Sequence, residues 1–216
     1  MIGCSGFPVP PTRYFKDFAF VEVQETYASM PGASTVKRWR REAPAGFEFG
    51  VLAPREIGQE AFRRGKIVDA ALDSLTEIVT LLAARIAVFT CPPELEDSRA
   101  NRAAIKEFLG EVKKRFERIV LEVPPTWEST AAVDLALAAK VIPAVDPLSF
   151  GLAEAKVAYY RLPGPAGHKS RYEDPAMERL AELALGARHD EAFYVFTNVD
   201  MAQDARRLKR AIGSRG

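Results

Sequence analysis

The chain has 216 residues, a formal net charge of +1, 48% hydrophobic residues and 27% charged residues. These values are typical of one globular domain with a substantial core, and they exclude an intrinsically disordered chain. The near-neutral charge provides no overall field that would recruit nucleic acid or a membrane surface, although a local basic patch is compatible with it.

Cysteine and histidine are rare in this chain. The two cysteines, Cys4 and Cys91, are too few for a disulfide framework. They fall in predicted strands that are not neighbours, so we expect two free thiols. No apolar run approaches the ~18 residues needed to span a bilayer, and the first predicted strand begins at Ile2, so we expect no signal peptide. We therefore expect a reduced, cytoplasmic protein.

Eight short runs rich in Val, Ile, Phe and Tyr have strand character, and each ends near Gly, Pro, Asp or Asn. In chain order they are Ile2–Phe7, Phe18–Gln24, Phe47–Leu52, Arg85–Cys91, Arg118–Val123, Val141–Asp146, Val157–Leu162 and Phe193–Asn198. Most are almost continuously apolar, which is typical of parallel strands that are covered on both faces.

Apolar residues at helical spacing separate several of these strands. They predict long helices around residues 72–82, 105–116 and 201–212, and shorter ones over 34–43, 129–140 and 149–155. Ser98 and Ser129 are the expected N-caps of two of them.

The eightfold alternation of strand and helix predicts an α/β fold, a closed parallel (β/α)8 barrel of TIM type, as one domain over residues 1–216. Because such barrels usually need about 250 residues, this one should be trimmed, with some helices reduced to a turn or two. Periodicity alone leaves an open doubly wound sheet as the alternative.

Charged residues stand at the ends of four predicted strands, namely Glu22, Glu122, Asp146 and Arg161. A charge facing the helix layer would be buried in hydrocarbon, so we expect these side chains to point into the barrel near its C-terminal face. With Asn198 from the last strand they should line one pocket, in which Arg161 contacts at least one of the acids. The surplus of carboxylates leaves room for a cation, a shared proton or a basic ligand. The alternative is a structural ion-pair network around Arg161.

The longest Gly/Pro-rich stretch, residues 163–172, follows the seventh strand. In barrels, the loops after strands seven and eight often bind phosphate, and Lys169, Arg171 and Tyr172 offer positive charge and a hydroxyl there. The alternative is a solvated loop with ordinary surface charges. The chain contains no nucleotide-cofactor motif of the Gly-rich or Walker type.

Several segments carry a family resemblance. The chain opens with Gly-Cys-Ser-Gly-Phe, continues through Val-Glu-Val-Gln-Glu-Thr-Tyr at residues 21–27, and closes with Phe-Tyr-Val-Phe-Thr-Asn at residues 193–198. Together with Pro44–Phe49, Glu122 with Trp127, and Tyr160–Gly164, these segments resemble motifs of the YecE-like proteins, domain of unknown function 72. The resemblance covers most of the chain and implies a compact TIM-type barrel without an established activity.

The chain also departs from that family pattern. Leu52, Val123, Pro163 and Val199 stand where the family usually has Lys, Arg, His and Asn. A family chemistry that depends on the Lys or the His is therefore in doubt, and a non-catalytic member is a real alternative.

Our leading hypothesis is an enzyme that acts on a small anionic or phosphorylated substrate. Glu22, Glu122 and Asp146 would serve as acid–base or metal-holding groups, and Arg161 would clamp the anion. The expected substrate-binding contacts are Asn198, Lys169, Arg171 and Tyr172. If a metal takes part, oxygen-only ligands favour Mg²⁺ or Mn²⁺.

Two alternatives belong to other classes of protein. A nucleic-acid-binding or nucleic-acid-processing protein would use the loop cations, against which the neutral net charge argues mildly. A non-catalytic ligand-binding module would explain the lost polar positions. No membrane partner is expected.

Overall fold

The computed structural model describes residues 1–213, apart from the side chain of Ser129. Eight parallel strands close into one barrel in chain order. They are β1 (Ile2–Ser5), β2 (Phe20–Val23), β3 (Glu48–Leu52), β4 (Ile86–Thr90), β5 (Arg118–Glu122), β6 (Ile142–Val145), β7 (Val157–Leu162) and β8 (Glu191–Phe196). All eight predicted strands are confirmed to within two residues at each end, and so is the closed parallel barrel.

Ten helices lie within the described residues. They are α1 (Pro11–Asp17), α2 (Glu25–Ala28), α3 (Ala33–Glu42), α4 (Arg55–Gln59), α5 (Lys66–Leu82), α6 (Arg99–Val112), α7 (Ser129–Ala139), α8 (Pro147–Phe150), α9 (Asp174–Gly186) and α10 (Met201–Gly213). The three long apolar stripes lie on α5, α6 and α10, and α2, α4 and α8 are the trimmed elements. Over residues 1–213, no helix has both the length and the apolar character that crossing a membrane requires.

One predicted N-cap and one predicted short helix are wrong. Ser98 does cap α6 and accepts a hydrogen bond from the Asn101 amide at 3.2 Å. For α7, however, the cap position is Glu128, and Ser129 is the first helical residue. The helix predicted over residues 149–155 is instead the single turn α8. Asp146 and the proline after it begin this turn early, and Gly151 ends it with a φ of +88°.

The contacts divide the chain into two compact units. The first comprises Met1–Glu22, Pro44–Phe47 and Ala144–Gly216, and the second comprises Val23–Ala43 and Glu48–Pro143. In the first unit Phe20, Tyr159 and Phe193 form an aromatic layer with ring centroids 5.0–6.3 Å apart. In the second unit the ring of Phe108 packs edge-on against Phe62 and Phe89 at 5.5 and 5.6 Å.

Candidate functional site

A buried carboxylate cluster lies where β1, β2 and β7 end, entirely within the first unit. Glu22 is fully buried and accepts three side-chain hydrogen bonds. Ser5 Oγ and Arg161 Nη2 donate to its Oε1 at 2.6 and 3.0 Å, and the Tyr159 hydroxyl donates to its Oε2 at 2.7 Å. Three donors therefore stabilise a charge whose burial would otherwise be costly.

Strand geometry brings these four residues together. Phe20 and Glu22 are two residues apart on β2, as Tyr159 and Arg161 are on β7, so each pair projects to one face of its strand. The register of β1 and β2 sets Ser5 beside Glu22. Phe20 packs on Tyr159, so the polar cluster lies directly above the aromatic layer of the barrel.

Glu22 and Arg161 differ in exposure. The Glu22 side chain is 0% exposed and the Arg161 side chain is 11% exposed. The predicted contact between Arg161 and an acid is confirmed. Solvent therefore reaches part of the Arg161 side chain and does not reach the Glu22 carboxylate.

The loop after β7 is an ordered turn. The Gly164 amide donates to the Tyr172 hydroxyl at 2.9 Å, and Ser170 Oγ accepts from the Ala166 amide at 3.0 Å. Gly164 has a φ of +97°, and a Cβ at this position would lie 2.4 Å from Ser170 Oγ. Only glycine fits this conformation, so the close packing of the loop depends on it. The Val199 amide donates to the His168 carbonyl at 2.7 Å, which joins this loop to the end of β8.

Asn198 lies in a buried polar network at the end of β8. Its Nδ2 donates to Asp204 Oδ2 at 2.8 Å and to the Ser170 carbonyl at 3.2 Å. Arg207 Nη1 donates to the other Asp204 oxygen at 2.7 Å and to the Tyr172 carbonyl at 2.5 Å. Asn198 Oδ1 is buried and has no hydrogen-bond partner among the described residues. It is therefore an acceptor that a ligand donor would satisfy.

Asp146 is half-buried and caps α8. Its Oδ1 accepts from the Leu148 amide at 2.9 Å, and its Oδ2 accepts from Ser149 Oγ at 3.1 Å. Burial raises the pKa of the Asp146 carboxyl, and these two hydrogen bonds partly oppose the rise. The pKa of Tyr172 is also raised, mainly by burial and further by the Asp146 and Asp204 carboxylates, so these groups lie within electrostatic range of each other.

The remaining predicted site residues are Arg171 and Lys169, on the loop after β7, and Glu122, in the second unit. Arg171 is 76% exposed and its Nε lies 2.5 Å from Asp200 Oδ2, which makes it part of a surface ion pair. Lys169 is exposed on the same loop. Glu122 ends β5 and belongs to the second unit. Their predicted roles in binding or catalysis stay predictions.

The sequence analysis missed four side chains of the two networks, Ser5, Tyr159, Asp204 and Arg207. Tyr159 precedes Arg161 by two residues, so strand alternation alone would have placed it beside the arginine. The Asp-x-x-Arg spacing of Asp204 and Arg207 on α10 was a similar local signal. The position of Ser5 depends on the strand register, which the sequence does not show.

The described residues offer little structural support for chemistry that uses a metal ion or a cysteine thiol. Within residues 1–213, no group of three or more His, Cys, Asp or Glu side chains is arranged to hold a metal ion. The predicted Mg²⁺ or Mn²⁺ therefore stays a prediction. Cys4 and Cys91 are buried free thiols, as expected. Burial raises the pKa of Cys4 to about 12 and also raises that of Cys91, so neither is an activated nucleophile.

The comparisons with known proteins agree on the class of protein. The fold is a TIM barrel, and one similar structure is a xylose isomerase domain-containing protein from Salmonella typhimurium. That protein is 13% identical, the match covers 99% of this chain and 96% of that one, and the TM-score is 0.63.

A match to a protein-family model identifies a narrower group than the TIM-barrel fold does. Residues 12–216 match the family model DUF72, described as a protein of unknown function, so the chain belongs to the DUF72 family. The YecE-like resemblance is confirmed. A DUF72 protein from Enterococcus faecalis is 15% identical, with 98% and 96% of the two chains covered and a TM-score of 0.74. One from Thermotoga maritima is 17% identical, with 98% of each chain covered and a TM-score of 0.73. No curated protein sequence matches this chain. At these identities the solved structures show the fold alone.

Proposed function

We propose that this DUF72 barrel is an enzyme that acts on a small anionic or phosphorylated substrate, with Arg161 as the anion anchor. One observation carries the proposal. The Arg161 side chain, 11% exposed near the C-terminal end of β7, donates to a fully buried carboxylate that also accepts from two hydroxyls.

This arrangement suits anion recognition. The planar guanidinium matches the oxygens of a carboxylate or a phosphate. Glu22 restrains Arg161, so less side-chain entropy is lost when the arginine binds an anion. The C-terminal ends of the strands are also where TIM barrels bind their substrates.

The proposal assigns chemistry to two further residues of the first unit, Asp146 and Asn198. Asp146 is the acid–base residue of the proposal, because burial raises the pKa of its carboxyl toward the range in which it can exchange a proton. Asn198 orients the substrate through Oδ1, the buried acceptor without a partner among the described residues. Glu22, whose oxygens already accept three hydrogen bonds, acts through Arg161 and is a positioning residue.

Two structural neighbours guide the choice of compounds to test. A sugar phosphate isomerase/epimerase from Parabacteroides distasonis is among the similar barrels, beside the xylose isomerase domain-containing protein. They support phosphorylated sugars as the first compounds to test, with unphosphorylated sugars as the matched set.

The experiment is a turnover screen of sugar phosphates and their parent sugars, followed by ¹H NMR. We expect a phosphorylated compound to be converted by the wild-type protein. Arg161→Met should raise KM, Asp146→Asn should lower kcat, and Arg179→Met, which changes an exposed arginine on α9, should leave both unchanged. Conversion only of parent sugars, conversion unaffected by either variant, or salt-dependent binding of DNA in place of any small anion would overturn the proposal.

A further inference from the structure

A cavity of about 360 Å³ lies on the outer side of the barrel, near the N-terminal ends of β1 and β8. Strand β8 forms one wall, and residues of α9 and α10 form the others. Every residue that lines it belongs to the first unit, and neither Glu22 nor Arg161 is among them. It is therefore separate from the Glu22–Arg161 cluster.

The walls are mostly apolar and built from small side chains. Ala184 and Ala192 face the space from α9 and β8, and Ile2, Phe18 and Ile212 supply larger apolar surface. Alanines where a helix packs on a strand leave room that a larger residue would fill. The volume falls within the range of small-molecule sites.

Tyr194 gives this apolar cavity a polar group. Its side chain lines the cavity and is 5% exposed, and its hydroxyl is buried without a hydrogen-bond partner among the described residues. The ring stacks on Tyr160 with centroids 5.0 Å apart, which fixes its position. A buried hydroxyl without a partner is destabilising, so a ligand atom that accepts its proton would bind favourably.

His189 also lines the cavity, but both of its ring nitrogens are engaged. Nδ1 faces the Ala155 carbonyl at 2.6 Å, so it must carry a proton. Nε2 then accepts from the Tyr160 hydroxyl at 2.8 Å, and Tyr160 in turn accepts from the Ala153 amide at 3.1 Å. Both ring nitrogens already have partners, so the imidazole serves as a wall of the cavity.

Among the residues described, two cations line this cavity, the Lys209 side chain and the N-terminal ammonium of Met1, which donates to the Ala192 carbonyl, and no carboxylate lines it. The Lys209 ammonium group donates to the Asp17 carbonyl at 2.6 Å, which holds this cation near the rim. The cations and the Tyr194 hydroxyl favour an anion, and the apolar walls favour an anion that carries an apolar tail. We propose that this cavity binds a small monocarboxylate, with the carboxylate on Tyr194 and Lys209 and a short aliphatic or aromatic tail among the alanines.

The test is isothermal titration calorimetry of the full chain with hexanoate, and with hexylamine as the probe of opposite charge. Tyr194→Phe should weaken hexanoate binding about tenfold, the effect of one lost hydrogen bond to a charged group. Ala192→Leu should abolish binding by filling the cavity, and Ala184→Leu fills it from the other wall if the first variant fails to fold. Tyr27→Phe, a half-buried tyrosine of the second unit, is the matched control.

We expect hexanoate to bind the wild-type protein and Tyr27→Phe alike, and hexylamine to bind neither of them. Three results would overturn the proposal. The first is that millimolar hexanoate does not bind the wild-type protein. The second is that the wild type and Tyr194→Phe bind hexanoate with equal affinity, and the third is that hexylamine binds as tightly as hexanoate. Because Arg161 plays no part in this cavity, these results do not depend on the proposed function.

Discussion

Arg161 Nη2 donates a hydrogen bond to Glu22 Oε1 at 3.0 Å, joining a partly exposed cation on β7 to a fully buried anion on β2. The carboxylate also accepts from the hydroxyls of Ser5 and Tyr159. The sequence left a structural ion pair and a functional anion site as alternatives for these residues. Our proposal combines the two alternatives, because it assigns Glu22 to holding the arginine side chain in place and Arg161 to binding the anion.

The first prediction concerns the loss of Arg161. Arg161→Leu leaves the buried Glu22 carboxylate without its cation, and the unfolding free energy should fall by about 3 kcal/mol. Two hydroxyl donors remain, so the effect should lie at the lower end for broken buried pairs. Urea denaturation followed by circular dichroism measures it. The exposed Arg179→Leu should change the unfolding free energy by less than about 0.5 kcal/mol. Equal stability of Arg161→Leu and the wild type would show that the pair is fully solvated.

The second prediction tests the Tyr159 hydroxyl. Tyr159→Phe removes one of three donors to a buried carboxylate and should lower the unfolding free energy by about 2 kcal/mol, because hydrogen bonds to charged groups are the stronger ones. Tyr27→Phe serves again as the control. Comparable losses in the two variants would argue against a special role for Tyr159.

The third prediction is a pH dependence at Asp146. Burial raises the pKa of this carboxyl above its ordinary value of about 3.9, so the native state binds more protons than the unfolded state between the two pKa values. The unfolding free energy should therefore fall as pH rises through this window and stay lower above it.

Asp146→Asn should remove that fall and keep the cap of α8, whereas Asp146→Ala should lose about 1 kcal/mol with the cap. Denaturation curves across the acidic range measure both effects, with the exposed Asp190→Asn as control. An Asp146→Asn protein whose pH profile matches the wild type would refute the assignment.

The fourth prediction concerns the thiols. Burial keeps Cys4 and Cys91 protonated, so neither should react with a disulfide reagent at mildly alkaline pH in the native protein. Both should react after addition of denaturant. A native thiol that reacts at the rate of free cysteine would contradict this account.

The barrel could be predicted because each strand carries its own signal. Apart from Arg161, the run Val157–Leu162 is apolar on both faces, as expected of a strand that is covered on both sides, and its observed bounds are the predicted ones. The inward direction of Glu22 and Arg161 followed from the cost of burying a charge against the helix layer. These arguments use the residues of one strand at a time and need no information about the adjacent strands.

What the sequence could not provide was the contacts between strands. Ser5 donates to Glu22 because of the register of β1 on β2, and register depends on how the whole barrel closes. The short α8 was mispredicted because an Asp-Pro start and a glycine end outweighed a weak apolar pattern. Arg171 was expected to close over a ligand, and its ion pair with Asp200 could not be inferred from spacing.

The most direct test of the central claim is the binding of inorganic phosphate, measured by isothermal titration calorimetry. The decisive variant is the double replacement Glu22→Gln with Arg161→Met, which removes the anchor without leaving a buried charge unpaired. We predict that the wild-type protein and Arg179→Met bind phosphate alike and that the double variant, folded by circular dichroism, binds at least about tenfold more weakly. Equal binding by the wild type and the double variant, or no binding by the wild type, would contradict the assignment of Arg161 as the anion anchor.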